Sequence, residues 1–176
     1  LRVSARACSL RASASRACQF LRMGKKVIVV GAGILGASLA WHLVKSGADV
    51  TVVDASEPGG IATTGSFAWI NASWGNPEAY FRLRERSMLE WRRVDREVPG
   101  LEVDWCGGLL WDLPREQLEA YADEHQSWGY GIERVGPAEI RVLEPALKFP
   151  PAFALHVAEE GKVEPRETAL ALLEGA

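Results

Sequence analysis

Cysteine is scarce in this sequence. Its 176 residues hold three, of which Cys8 and Cys18 fall in an arginine-rich leader and only Cys106 lies in the body. A single cysteine there excludes a disulfide framework and any cysteine-rich zinc site, and fits a reducing, cytoplasm-like compartment. Long apolar runs are also missing. The best candidates, Val27–Val30 and Ile34–Leu43, are interrupted by glycines and bounded by polar residues, far short of the ~20 residues a membrane helix requires. No membrane span is expected. Histidine is rare too: His42, His125 and His156 have no metal-ligand spacing to an acid or cysteine, so no metal site is expected. Acids are absent from residues 1–22, which carry Arg2, Arg6, Arg11, Arg16 and Arg22. With a net charge of −3 for the whole chain, the rest is distinctly acidic and has no reason to attract nucleic acid or an anionic membrane.

An acid-free stretch of Arg, Ala and Ser has the composition of a mitochondrial transit peptide. Against that, Met23 stands just before the first predicted strand, where a start is expected, and Leu1 is an odd first residue. Residues 1–22 are therefore set aside as a disordered leader or a misassigned start. The expected location is cytoplasmic, or mitochondrial if the leader is a genuine transit peptide.

From Lys25 the chain acquires pattern. Lys25–Val30 is a short β-branched run ended by glycine, the signature of a fully buried parallel strand. Ile34–Ser46 reads as a helix with Leu35, Leu39, Trp41 and Leu43 apolar and Gly47 just past its end. Asp49–Val53 is a second strand ending at Asp54. Strand, tight turn, helix and strand make one βαβ unit.

The turn reads Gly31-Ala32-Gly33-Ile34-Leu35-Gly36, matching G-x-G-x-x-G. Alone this pattern is weak, but here it follows a strand, opens a helix and is answered by an acid at the end of the next strand. Gly31 allows the sharp turn, Gly33 lets backbone approach a pyrophosphate, and Gly36 lets helix pack on sheet. The helix start offers N–H groups and partial positive charge to a diphosphate. Asp54 is placed to accept hydrogen bonds from ribose hydroxyls, and its charge disfavours a 2′-phosphate and hence NADP. The motif does not itself separate NAD from FAD. The next segment, Ala55–Gly75, is long, rich in small residues and studded with hydroxyls at Ser56, Thr63, Thr64, Ser66 and Ser73. Such a loop could lay N–H and hydroxyl groups along the diphosphate and the flavin end of FAD. The expected cofactor-binding set is Gly31, Ala32, Gly33, Ile34, Leu35, Gly36, Asp54, Ala55, Thr63, Thr64 and Ser66.

Further on, Asn76-Pro77 is a good helix start, and Tyr80, Leu83, Ser87, Trp91, Val94 and Val98 mark an apolar face. Beyond residue 101 the reading gives strands at Val103–Trp105 and Gly108–Asp112, a helix over Arg115–Trp128, a strand at Gly131–Val135, a short helix over Pro137–Leu143, a strand at Phe153–Ala158 and a helix from Pro165 to Leu173. There is no internal repeat.

The sequence resembles the FAD-dependent D-amino-acid oxidase, glycine oxidase and sarcosine oxidase superfamily. Three stretches carry the likeness: Val27–Asp54; Gly60-Ile61-Ala62-Thr63-Thr64-Gly65-Ser66 leading through Ala68-Trp69-Ile70-Asn71; and Gly161-Lys162-Val163-Glu164-Pro165 followed by Thr168-Ala169-Leu170. Val142–Leu147 is similar to a further family segment. The resemblance implies FAD as cofactor, a small amine or amino acid as substrate, and hydride transfer to the flavin, with oxygen or a quinone as the open alternatives for acceptor. It implies an α/β fold: a Rossmann-like FAD-binding βαβ domain with the beginning of an α+β substrate domain. The division expected is 23–100 for the FAD-binding domain, 101–158 for a partial substrate domain and 159–176 for a return to the first. Family members are considerably longer, so the chain is expected to be an N-terminal fragment without activity of its own. No catalytic residue can be named.

Other residues are read as structural. His42 is a packed or half-exposed helix residue, and Cys106 a buried inert thiol. Arg82, Arg84, Arg86, Arg92, Arg93 and Arg96 are taken with neighbouring acids as a solvated helix face. Trp69 and Trp74 flank the loop expected to face the flavin. Two alternatives stay open: an NAD-dependent dehydrogenase, and a non-catalytic dinucleotide-binding fragment.

Overall fold

The computed structural model describes the backbone of residues 6–9 and, with side chains, residues 24–73 and 75–176. It divides into two compact units: 1–68, 93–102 and 163–176 in the first, 69–92 and 103–162 in the second. The chain therefore changes unit four times, after residues 68, 92, 102 and 162, the second time inside one long helix.

The first unit is built on β2 (Lys26–Val30), α1 (Ile34–Lys45) and β3 (Asp49–Asp54), close to the bounds the residue pattern sets. β2 and β3 pair in parallel with Val27 opposite Val50 and Val29 opposite Val52. The core is Val29, Ala32, Ala40, Val50 and Val52, with Val27, Leu43, Val44, Ala48 and Leu173 packed against it. Leu173 arrives on α6 (Pro165–Glu174), which starts with proline in its first turn, where the missing N–H costs nothing. Small residues at Ala37 and Ala40, both fully buried, let α1 lie close to its neighbours.

Two expectations change in this unit. β2 is not fully buried: Ile28 is 70% and Val30 84% exposed, while Val29 between them is buried. A strand needs cover on both faces to be buried throughout, and among the described residues only one face has it. Arg6–Ser9, inside the segment set apart as a leader, forms β1, antiparallel to β3 with Arg6 opposite Asp54 and Ser9 opposite Thr51. The sheet order is β1-β3-β2. The edge of β3 offers unpaired N–H and C=O groups that a passing extended segment can satisfy. The rest of the leader, residues 1–5 and 10–22, lies outside the described residues, as does Met23.

The segment expected as one long loop contains α2 (Ile61–Thr64) and β4 (Trp69–Ile70). Elements of four and two residues are too short to show a period, so composition alone hides them. β4 pairs antiparallel with β8 (Gly161–Lys162) in the second unit, and Asp104 makes a single bridge to Lys162 where a longer strand was expected.

The rest of the second unit is a three-stranded antiparallel sheet, ordered β5-β7-β6, from β5 (Gly108–Leu110), β6 (Ile132–Val135) and β7 (Ala154–Val157). Around it lie α4 (Arg115–Ser127), α5 (Pro137–Leu143) and the start of α3 (Glu78–Glu97). The apolar face of α3 matches expectation at Val94 and Val98 and departs from it at the start of the helix. Phe81, Met88, Val94 and Val98 are buried, whereas Tyr80 and Leu83 are half or more exposed. Phe81 and Met88, seven residues apart, share a helix face displaced from that of Tyr80 and Leu83. Phe81 and Met88 are the residues that the core accommodates, with Phe81 edge-on to His125 and Tyr130. The solvated face carries the pairs Arg82–Glu78, Arg86–Glu90 and Arg93–Glu97. Arg84 departs from that face and is half-buried against Asn71 and Ser73. Cys106 is an exposed free thiol, not a buried one; it sits in the non-regular stretch before β5, where the turn at Gly107 leaves it outside the packed sheet.

Candidate dinucleotide site

The glycine turn takes the form that its residue types demand. Gly31 has φ +102, a left-handed backbone that side chains resist, and its N–H donates to the Val53 carbonyl at 2.8 Å. This ties the end of β2 to the end of β3. Gly36 is needed for closeness: a Cβ there would stand 1.8 Å from the Gly31 carbonyl oxygen. A Cβ on Gly33 would meet Thr63 Oγ1 at 3.0 Å.

Asp54 and Thr63 brace the turn from two sides. The Ala32 N–H donates to Asp54 Oδ2 at 2.6 Å. Asp54 Oδ1 accepts the Ser56 N–H at 2.8 Å and its hydroxyl at 3.0 Å. These bonds, from Ala32 first and then Ser56, hold the Asp54 carboxyl below the usual carboxylate range because each favours the charged form. On the other side the Ile34 N–H donates to the Thr63 hydroxyl at 3.0 Å, and the Gly59 N–H donates to the Ala32 carbonyl at 2.9 Å. The first intrahelical bond of α1 runs from the Ala37 N–H to the Gly33 carbonyl. The N–H groups of Gly33, Leu35 and Gly36 have no partner among the described residues. They stand at the positive end of a 12-residue helix whose N-cap, Gly33, has no side chain to offer and whose first turn holds no acid. An anion is what such an end lacks.

Of the expected site residues, Gly31, Ala32, Gly33, Ile34, Leu35, Gly36, Asp54 and Thr63 come together here, with Ala55 next to Asp54. Thr64 and Ser66 do not reach the turn. The Thr64 hydroxyl donates to the Gly60 carbonyl at 2.8 Å, and Ser66 Oγ accepts the Ala68 N–H at 3.0 Å, so both close local turns. Trp74 lies outside the described residues. Gly59 was not singled out, though the Gly59-Gly60 pair was a visible signal: it supplies a bond to the turn, and its Cβ would strike Arg166 at 2.7 Å. No group of His, Cys, Asp and Glu able to hold a metal occurs among the described residues. No helix among them is long and apolar enough to cross a membrane.

Fold and turn together define a Rossmann-like dinucleotide-binding protein. Residues 26–176 match the DAO family of FAD dependent oxidoreductases, and the chain belongs to that family. The family is FAD-dependent, which favours FAD over NAD for this turn. The chain is 38% identical to a D-amino acid dehydrogenase of Paramagnetospirillum magneticum over 96 residues, covering 48% of this chain and 21% of that protein. It is 24% identical to a glycine oxidase of Bacillus licheniformis over 161 residues, covering 89% of this chain and 44% of that protein. The crystal structure of glycine oxidase from Bacillus cereus aligns with a TM-score of 0.72 at 20% identity, covering 86% of this chain and 43% of that one; at that identity the likeness is one of fold. The chain thus spans less than half the length of each.

Proposed function

We propose that this chain supplies the FAD-binding unit of an oxidoreductase that oxidises a small amine or amino acid. The observation that carries the reading is the braced glycine turn. Asp54 and Thr63 consume the Ala32 and Ile34 amides, and the Gly33, Leu35 and Gly36 amides are left pointing from the helix start in a chain of an FAD-dependent family. In this assignment those amides and the helix dipole hold the diphosphate. The carboxylate oxygens of Asp54 have lone pairs left for the adenosine ribose, with Ala55 beside them. Thr64 and Ser66 shape the loop that follows. FAD, when bound, supplies the hydride acceptor; the chain's own residues bind and orient it. The substrate class follows the names of the relatives, a D-amino acid dehydrogenase and a glycine oxidase.

The test is a titration of the purified chain with FAD, ADP and NADH, followed by flavin fluorescence and by competition. FAD binding that ADP displaces is expected. NADH binding without FAD binding would overturn the assignment.

A further inference from the structure

Glu160 is a carboxyl with no exposure at all, in the turn between β7 and β8. Three side chains converge on it. Trp69 Nε1 donates to Oε2 at 2.8 Å, the Tyr130 hydroxyl donates to Oε1 at 2.5 Å, and the Ser73 hydroxyl bonds Oε1 as well. The Tyr130 oxygen in turn accepts the Ala72 N–H at 3.1 Å. Gly108 makes room for this group, since a Cβ there would stand 2.2 Å from Glu160 Oε2. On α3, Arg84 takes the same segment by its backbone: Nε donates to the Asn71 carbonyl at 3.1 Å and Nη1 to the Ser73 carbonyl at 2.7 Å, and Nη2 bonds Asn71 Oδ1. Residues 71–73, without regular secondary structure of their own, are thus held by two carbonyls, an amide and two side chains. Ile70, Ala72 and Ser73 are buried. Irregular backbone is buried only where its polar groups are satisfied; here Arg84 takes the Asn71 and Ser73 carbonyls, and Glu160 holds the Ser73 and Trp69 side chains and, through Tyr130, the Ala72 amide.

Removing a carboxyl from water is costly, and burial pushes the Glu160 carboxyl above its usual range against the three hydrogen bonds that lower it. A bland core would avoid such a group. The anchored segment is the direct continuation of the dinucleotide loop. Thr63 braces the glycine turn; then the chain runs through Gly65–Ala68 to Trp69. Ala68 holds φ +50, the only non-glycine residue with positive φ among the described residues, a conformation that persists only where its surroundings enforce it. The Ser66 hydroxyl accepts its N–H, and its carbonyl accepts the Val163 N–H at 3.3 Å.

We propose that Glu160 is a positioning residue: by fixing Trp69–Ser73 it sets, through the chain, the conformation of Gly65–Ala68, the part of the loop that serves FAD beyond its ADP moiety. This rests on the FAD assignment made above. ADP needs only the glycine turn and Asp54, so the anchor matters for FAD and not for ADP.

The experiment compares FAD and ADP affinities of the wild-type chain with those of Glu160→Gln, Glu160→Ala and Tyr130→Phe, with the fluorescence of bound flavin as a spectroscopic readout. For Glu160→Ala, FAD affinity is expected to fall about 10-fold or more and the bound-flavin signal to change, while ADP affinity stays within about twofold. Glu160→Gln, which keeps an acceptor for Trp69, is expected to restore most of the FAD preference. If Glu160→Ala does not fold, Tyr130→Phe, which removes a single oxygen, is judged by the same criterion. A folded variant with unchanged FAD affinity, or one losing FAD and ADP equally, would overturn the inference and leave the FAD assignment standing. A wild-type chain that binds FAD no more tightly than ADP would overturn the inference alone, and one that binds NADH but not FAD would overturn both.

Discussion

The Asp54 carboxylate accepts the Ala32 amide at 2.6 Å across 22 residues of sequence. One side chain thereby joins the end of β3 to the glycine turn that follows β2. It braces the turn in the protein and is also the group assigned to the ribose.

Asp54→Ala is expected to weaken ADP and FAD binding by about 10-fold, the scale of a lost charge-assisted acceptor. Fluorescence titration of both nucleotides checks this, and unchanged affinities would remove Asp54 from the site. The same residue gives a pH dependence. Its folded pKa lies below the unfolded one, so its contribution to stability is complete above the unfolded pKa and is lost as pH falls through the folded value. Between about pH 5 and pH 2, the wild-type melting temperature should fall more steeply than that of Asp54→Asn.

Gly36→Ala should be worse than Gly31→Ala. At Gly36 the added methyl meets a backbone oxygen at 1.8 Å, whereas at Gly31 nothing lies within 4 Å and only the positive φ opposes a side chain. The second cost is about 1–2 kcal/mol. The first requires helix and turn to separate, at roughly 3 kcal/mol or more. Urea denaturation of the two variants measures the difference, and equal midpoints would contradict the close approach.

His125 is fully buried among Phe81, Tyr121 and Trp128, and its Nε2 has no partner. Burial pushes its pKa below the usual imidazole value. Below the unfolded value of about 6.5 the unfolded chain binds a proton that the folded one resists, so stability declines as pH falls from there toward the folded pKa. His125→Phe keeps a ring in the nest without a titrating nitrogen. Its melting temperature should vary less than the wild type's between about pH 6.5 and pH 5; parallel curves would show that His125 does not titrate there.

The chain by itself is expected to bind nucleotide without turning over amines. The site proposed above accounts for the ADP half of FAD, and no described residue is assigned to the amine. Hydride transfer needs the reacting atoms held within roughly 3–3.5 Å. The chain, saturated with FAD and given glycine, sarcosine, D-alanine or D-proline with an artificial electron acceptor, should show no flavin-dependent reduction of the acceptor. Turnover of any of the four would refute this.

The sequence by itself determined what depends on neighbours along the chain. The run from Lys26 to Asp54 announces strand, turn, helix and strand because β-branched residues, glycine spacing and apolar period act within a few residues of one another. The starts of α5 and α6 are legible for the same reason, each opening on a proline. The tertiary structure decided what depends on partners far away. Thr63 reaches the turn through a bond spanning 29 residues, and Glu160 meets Trp69 across 91. Neither spacing leaves a local trace. Which face the start of α3 turns inward was settled by the cavity that Phe81 and Met88 fill, since Tyr80 and Leu83 have equally good helical spacing, while Val94 and Val98 are buried as the pattern sets them. Arg84 looked like one more charge on a solvated face. It became a clasp on Asn71 and Ser73 only because folding brought their carbonyls within reach, and a guanidinium binds whatever acceptors geometry presents to it.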